Sequence, residues 1–328
     1  MFTRNTYIDE FSRCDRKYRG WHWIVLAPKL FPKKMSHSAR KFERSNFLRR
    51  VRALKYENLS PGNGVGYPNI EVLSVAAGKD ISILPYTLSS VLKNSMNPIT
   101  NITIVCPQRD LESCIFALQN LGNLVPIRVL NEDEILPLPI RNAIKEKFPH
   151  RYGWVLQQFV ATKYISESTS KGVLLINSDT ILIKRVHWLN NKGEQILMPT
   201  LEYHPPYYNL LKLLFQFTNN PKHTFISHHM LFQPQKFIKI LERRGYNNME
   251  EFLLTALEKS DIQESSPLCV EFEPYAQGMM IDYLDFVMLR KFSNLNLTRN
   301  PENLRIVEGL IEGKLDLPYN SVSLHDYL

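Results

Sequence analysis

Cysteine is scarce, and its spacing is unpaired. Cys14, Cys106, Cys114 and Cys269 are the only four in 328 residues, so neither a disulfide framework nor a zinc-binding pair is indicated. Long apolar runs are missing too. The stretch WHWIVLAPKLF at 21–31 is too short to cross a bilayer and is broken by proline. The first twenty residues carry charges where a signal peptide would need apolar residues, so a cytoplasmic protein is expected. No glycine-rich phosphate loop stands out. PGNGVG at 61–66 matches neither dinucleotide-binding nor P-loop spacing, and it precedes a strand-like run instead of opening a helix. Nucleophile-elbow and kinase signatures are likewise missing.

What is present is a globular composition, 44% hydrophobic and 22% charged, with enough chain for one large domain or two ordinary ones. The net charge of +8 is unevenly placed. Residues 1–56 hold 15 Lys and Arg against Asp9, Glu10, Asp15 and Glu43, a local excess of +11, and the remainder is slightly acidic at −3. Within this arm, Phe47, Leu48, Val51 and Leu54 recur at helical intervals among basic residues. Such a basic amphipathic helix, over residues 36–56, suits peripheral contact with an anionic membrane at its inner face. It equally suits docking on the body through its apolar stripe, and a bland reading is a solubilising extension. Nucleic acid is disfavoured, because the arm holds no reader motif and the body is acidic. The Gly- and Pro-rich stretch 60–69 breaks all periodicity. It divides a basic extension, 1–65, from a main domain, 66–328.

From residue 70 onward, apolar runs alternate with helical patterns. Strand-like runs lie at 70–78, 102–107, 125–131 and 173–176, and helices are expected at 80–95, 109–122 and 153–165, with Asp80 capping the first. This alternation predicts an α/β fold with a mostly parallel sheet covered on both faces. The strand at 173–176 then stops abruptly at Asn177-Ser178-Asp179. Ligands of open α/β sheets gather at the carboxyl ends of strands, where a loop carboxylate can hold a hard cation against a diphosphate. A polar turn between two strands would also explain these residues.

A strand ending in Asp-x-Asp and followed by Thr and two aliphatics resembles the metal motif of GT-A glycosyltransferases. Four further stretches occur in order: GWVLQQ at 153–158, LEYHPPYY at 201–208, SHHM at 227–230 and VEFEPY at 270–275. Together they resemble a bacterial glycosyltransferase family with Trp-x-x-Gln-Gln, Asp-x-Asp-Thr, Ser-His-His-Met and Glu-Tyr-Glu-x-Tyr-Gly motifs. The resemblance spans about residues 70–290. It departs at Asn177, which replaces the first acid, and at Phe272 and Ala276, which replace Tyr and Gly.

The resemblance implies a GT-A-like mixed sheet and a nucleotide-diphosphate sugar donor. It also implies a hydroxyl acceptor on a glycan or lipid-linked glycan, with Mn²⁺ or Mg²⁺ as cofactor, in surface polysaccharide or glycoconjugate synthesis. Asp179 is then the leading metal ligand, Asn177 a weaker one and His229 a late histidine ligand, although adjacent His228 would face the other way on a strand. Lys79 and Asp80 fall where base and ribose are received. Gln157, Gln158, Ser178, Glu202 and His204 are further donor or acceptor contacts, at least one glutamine serving to satisfy loop backbone. Glu273 is the candidate base of an inverting reaction, with Glu271 beside it on an extended segment. A degenerate, non-catalytic binder of sugar nucleotides is the rival on the same fold, because Asn177 removes a carboxylate.

Overall fold

The computed structural model describes residues 66–200, 202–216, 223–261 and 268–325. The basic extension and its expected helix lie outside them. No helix among the described residues is long and apolar enough to cross a membrane.

The expected alternation forms the central sheet. Strand β1 (Ile70–Val75) is followed by helix α1 (Leu84–Asn94), β2 (Ile99–Cys106) by α2 (Leu111–Leu118), and β3 comprises Ile127–Asn131. Helix α3 (Leu138–Lys147) and the long α4 (Tyr152–Glu167) then lead into β4 (Val173–Ile176). Later come β5 (Thr180–Leu182), β6 (Gln195–Leu197), α5 (Pro205–Phe215) and β7 (His229–Phe232). The sheet order is β3-β2-β1-β4-β7. Its first four strands are parallel and β7 runs antiparallel beside β4, with Ile176 opposite His229. All four residues of β4 are buried, as a strand covered on both faces requires.

Helices α6 (Pro234–Glu242), α7 (Met249–Lys259) and α8 (Phe272–Asp282) complete one side, and α6 packs on both α4 and α8. On the other side Ile70, Val72, Ile102, Ile104, Leu174 and Ile176 meet the apolar face of α1, including Leu84, Leu88 and Val91. Strand β8 (Val287–Leu289) pairs with β6. Beyond it, β9 (Asn294–Thr298), α9 (Pro301–Ile311) and β10 (Ser321–His325) build a small second sheet in the order β5-β10-β9. There β10 is antiparallel to β5 and parallel to β9.

Two boundaries differ from expectation. The first helix begins at Leu84, not Asp80, because residues Gly78–Asp80 form a separate 3₁₀ turn and the Asp80 carboxylate bonds elsewhere. Glu271 and Glu273 do not lie on an extended segment: α8 starts at Phe272, and Pro274 sits in its first turn, a position that proline tolerates.

The contact of α8 with α6 depends on the absence of a side chain at Gly278, where a Cβ would stand 2.4 Å from Ile240 Cγ2. Ile240 is buried and its β-branched side chain has little freedom to yield. Gly278→Ala should therefore destabilise the fold by about 1–3 kcal/mol. Adding Ile240→Ala should recover part of the loss specific to the clash, as read by thermal melts of a double-mutant cycle.

Candidate active site

The end of β4 opens into a tight polar turn. Thr180 N donates to the Asn177 carbonyl at 3.1 Å and Asn177 N to the His228 carbonyl at 2.9 Å, tying the turn to the start of β7. Leu324 N donates to the Asp179 carbonyl at 3.0 Å, tying it to β10 as well. The backbone of Asn177-Ser178-Asp179 is thus held from both neighbouring segments, at the sheet edge where ligands of α/β folds collect.

Asp179 Oδ2 lies 3.1 Å from His325 Nδ1, although 146 residues separate the two. The other ring nitrogen of His325 lies 3.1 Å from Asn296 Oδ1, which also accepts from Asn294 Nδ2 at 2.7 Å. That second bond orients Asn296 with its oxygen toward His325. Burial pushes the Asp179 carboxyl up, but His325, with the charges of His228 and Arg299, outweighs it and holds the carboxyl below its ordinary range. His325 was not anticipated from the sequence.

His228 adopts φ +59°, left-handed backbone that is uncommon outside glycine and characteristic of constrained sites. Its ring nitrogen Nδ1 is 3.3 Å from Asn177 Nδ2, its Nε2 is 3.9 Å from Glu202 Oε2, and its ring centre is 5.6 Å from that of His325. The expectation that His229 faces the site is reversed. His229 sits opposite Ile176 and is buried, accepting from Trp188 Nε1 at 3.1 Å and meeting Phe292 edge-on. Burial, with the charge of His228, pushes its pKa down to about 3.

The two glutamates are divided by their partners. Glu273 is fully buried and accepts from Tyr208 Oη at 3.0 Å, Phe225 N at 2.7 Å and Gln277 Nε2 at 2.8 Å. Burial raises it to about 7 against these three bonds. Its lone pairs knit α8 to α5 and the segment before β7, so its expected place as a base is corrected to a structural one. Glu271 has no side-chain hydrogen bond among the described residues, and burial alone raises it to about 8. Both Glu202 and Glu271 press on Tyr207, helping burial raise that hydroxyl.

Of the remaining expected contacts, Asp80 is brought to the turn: Ser178 Oγ donates to its Oδ2 at 3.1 Å. Arg299 donates to Asp80 Oδ1 at 2.7 Å and to the Lys79 carbonyl at 2.6 Å, placing a guanidinium beside Asp179. Lys79 itself is exposed. His204 precedes α5 and packs edge-on against Tyr207 at 4.6 Å. Gln158 accepts from Val270 N at 3.3 Å and is structural, whereas Gln157 is exposed on the outer face of α4 and is not brought to the turn.

The fit of a divalent cation turns on Asp179 and His325. The Oδ2–Nδ1 separation of 3.1 Å is that of an Asp–His hydrogen bond, so a cation bound there would take the place of the proton between the two atoms. No group of three or more His, Cys, Asp or Glu suited to a metal occurs among the described residues. Mg²⁺-like ions, however, commonly take one or two protein ligands and complete their shell with substrate phosphate and water. Asp179 is a ligand of that kind, and His325 Nδ1 lies 3.1 Å from its Oδ2.

No family model and no curated protein matches the chain. Among solved structures, it is similar to mouse xyloside xylosyltransferase 1 in its apo form at 9% identity and a TM-score of 0.40, covering 78% of this chain and 97% of that one. It is similar to the galactosyltransferase LgtC with donor and acceptor sugar analogs at 12% identity and 0.43, covering 78% and 87%. Likeness to the mannosyltransferase Ktr4p of S. cerevisiae is 12% at 0.41, covering 74% and 77%. Likenesses at this level assign neither a family nor an activity to the chain.

The contrast between the glutamates sets opposite outcomes. Glu273→Gln disturbs the bond from Gln277 and should cost about 1–3 kcal/mol. Glu271→Gln breaks no hydrogen bond and should leave the melting temperature unchanged at pH 5. Because the folded pKa values of both acids are raised, their contribution is fully present below the ordinary carboxylate range. It is lost as pH rises through about 7 for Glu273 and about 8 for Glu271. Melts from pH 5 to 9 should fall for the native chain and fall less steeply for Glu271→Gln.

Proposed function

We propose that this chain is a GT-A-type glycosyltransferase that moves a sugar from a nucleoside-diphosphate donor to a hydroxyl acceptor. The observation that carries the reading is the convergence of Asp179 and His325 at the carboxyl end of a mostly parallel sheet, with Arg299 among the charges acting on Asp179.

In this reading Asp179 and His325 would hold Mn²⁺ or Mg²⁺, and the chemistry such an ion would supply is neutralisation of diphosphate charge. Arg299, anchored through Asp80 and Lys79, adds fixed positive charge on the same side. Ser178 and Asp80 line the way to the donor's nucleoside. Glu202, His204 and the exposed ring of Tyr203, stacked on Tyr208 at 4.8 Å, offer a polar and aromatic shelf to the acceptor. Glu271 takes the acceptor hydroxyl's proton. A carboxylate raised toward neutrality and without a competing hydrogen bond is suited to that step. Residues 36–56 are proposed to rest on anionic lipid beside a glycan or lipid-linked acceptor.

Asn177 keeps one rival in view, a chain that binds sugar nucleotides without turning them over. Incubation with a panel of nucleoside-diphosphate sugars and Mn²⁺, followed by measurement of released nucleoside diphosphate, separates the two. Release that disappears in Asp179→Asn and His325→Ala, and falls by about 10²-fold or more in Glu271→Gln, is expected. Tight binding with no release by the native chain would favour the rival.

A further inference from the structure

Next to the turn at Asp179, the carboxyl ends of β1 and β2 flank an open cleft of about 600 Å³, lined by Gly78, Ser82, Asp110, Ser113 and Phe116 among others. Three of its features bear on what it could bind. Phe116 is 72% exposed, a large ring left in water on the outer side of α2. Asp110 is held inward, its side chain only 14% exposed, with Oδ2 accepting from Gly78 N at 2.9 Å. Gly78 leaves room for this approach, since a Cβ there would stand 3.2 Å from Asp110 Oδ1.

The cleft is in line with the site already described. The residues run from Asp110 to Gly78, through Asp80 to Ser178, and so to Asp179. The strands lie in the order β2-β1-β4, so the two ends are separated by two strand spacings, about 10 Å. That is the scale of a nucleotide from its base to its phosphates. An exposed ring at one end offers a stacking face. The carboxylate beside it, whose Oδ2 already accepts from Gly78 N and lies 3.8 Å from Arg109 Nε, keeps Oδ1 and a second lone pair of Oδ2 as acceptors and has no donor. Among the common bases only guanine presents two adjacent N–H donors, N1–H and N2–H, on a single edge. Uracil sets its one N–H between two carbonyl oxygens, which a carboxylate repels. Adenine and cytosine place a ring-nitrogen acceptor beside their amino group.

We propose that this cleft receives the base of the donor, with Phe116 stacking on it and Asp110 selecting guanine, so that the donors are GDP-sugars. The assignment rests on the glycosyltransferase reading above and narrows its substrate class.

Calorimetric titration of the full chain with GDP, UDP, ADP and CDP, in the presence of Mn²⁺, tests it. GDP should bind tighter than the others by about tenfold to a hundredfold, the discrimination of one bidentate base contact. Asp110→Asn, confirmed as folded by circular dichroism, should erase that preference while leaving UDP binding in place. Phe116→Ala, at an exposed position, should weaken all four nucleotides alike by about tenfold. Tighter binding of UDP, ADP or CDP, or an unchanged preference in Asp110→Asn, would overturn the guanine assignment and leave the glycosyltransferase reading standing. Failure of the folded native chain to bind any of the four would overturn both.

Discussion

The pairing of β10 between β5 and β9 is the constraint on which the site depends. Asp179 leaves the core strand β4 as a largely buried carboxylate, and burial alone would drive it toward its neutral form. Strand β10 answers this in two ways: Leu324 fixes the Asp179 carbonyl, and His325 faces the carboxylate. The registers that place these residues are backbone matters, Ser323 opposite Thr180 on one side and His325 opposite Thr298 on the other. A small sheet far along the chain therefore sets the charge state of a side chain at the edge of the large one.

A second division of labour lies within three residues. Glu271 and Glu273 are both buried acids at the start of one helix, yet one is given three donors and the other none. The helix start puts Glu273 under α5 and the segment before β7, where it holds elements together. Glu271 is buried as well, close enough for its charge to act on Tyr207. Burial without bonds leaves a carboxyl reactive near neutrality, while burial with bonds makes it architecture.

Much of the large sheet could be read from the chain. Apolar runs at 70–75, 102–106 and 173–176 are long enough and apolar enough to be buried strands, and the polar turn Asn177-Ser178-Asp179 falls at the end of β4, where its position predicted it. Local pattern failed where pairing is non-local. Nothing near His325 points to Asp179, and nothing near Arg299 points to Asp80. Strand parity sends His228 and His229 to opposite sides, but parity alone does not say which side is the site. The left-handed turn at His228 lets that side chain approach Asn177 while His229 enters the core. Gln157 and Gln158 look alike in sequence, and only the helical face separates an exposed side chain from one that satisfies Val270. The basic extension, read as charge and as an amphipathic helical pattern, lies outside the described residues.

The turn at the end of β4 is anchored on both flanks by main-chain bonds, to His228 and to Leu324, quite apart from what its side chains touch. A loop so clamped surrenders little conformational freedom when a small molecule arrives. Association there would resemble a key entering a rigid lock: little of the binding free energy goes into ordering the loop, and selectivity falls to shape and charge alone.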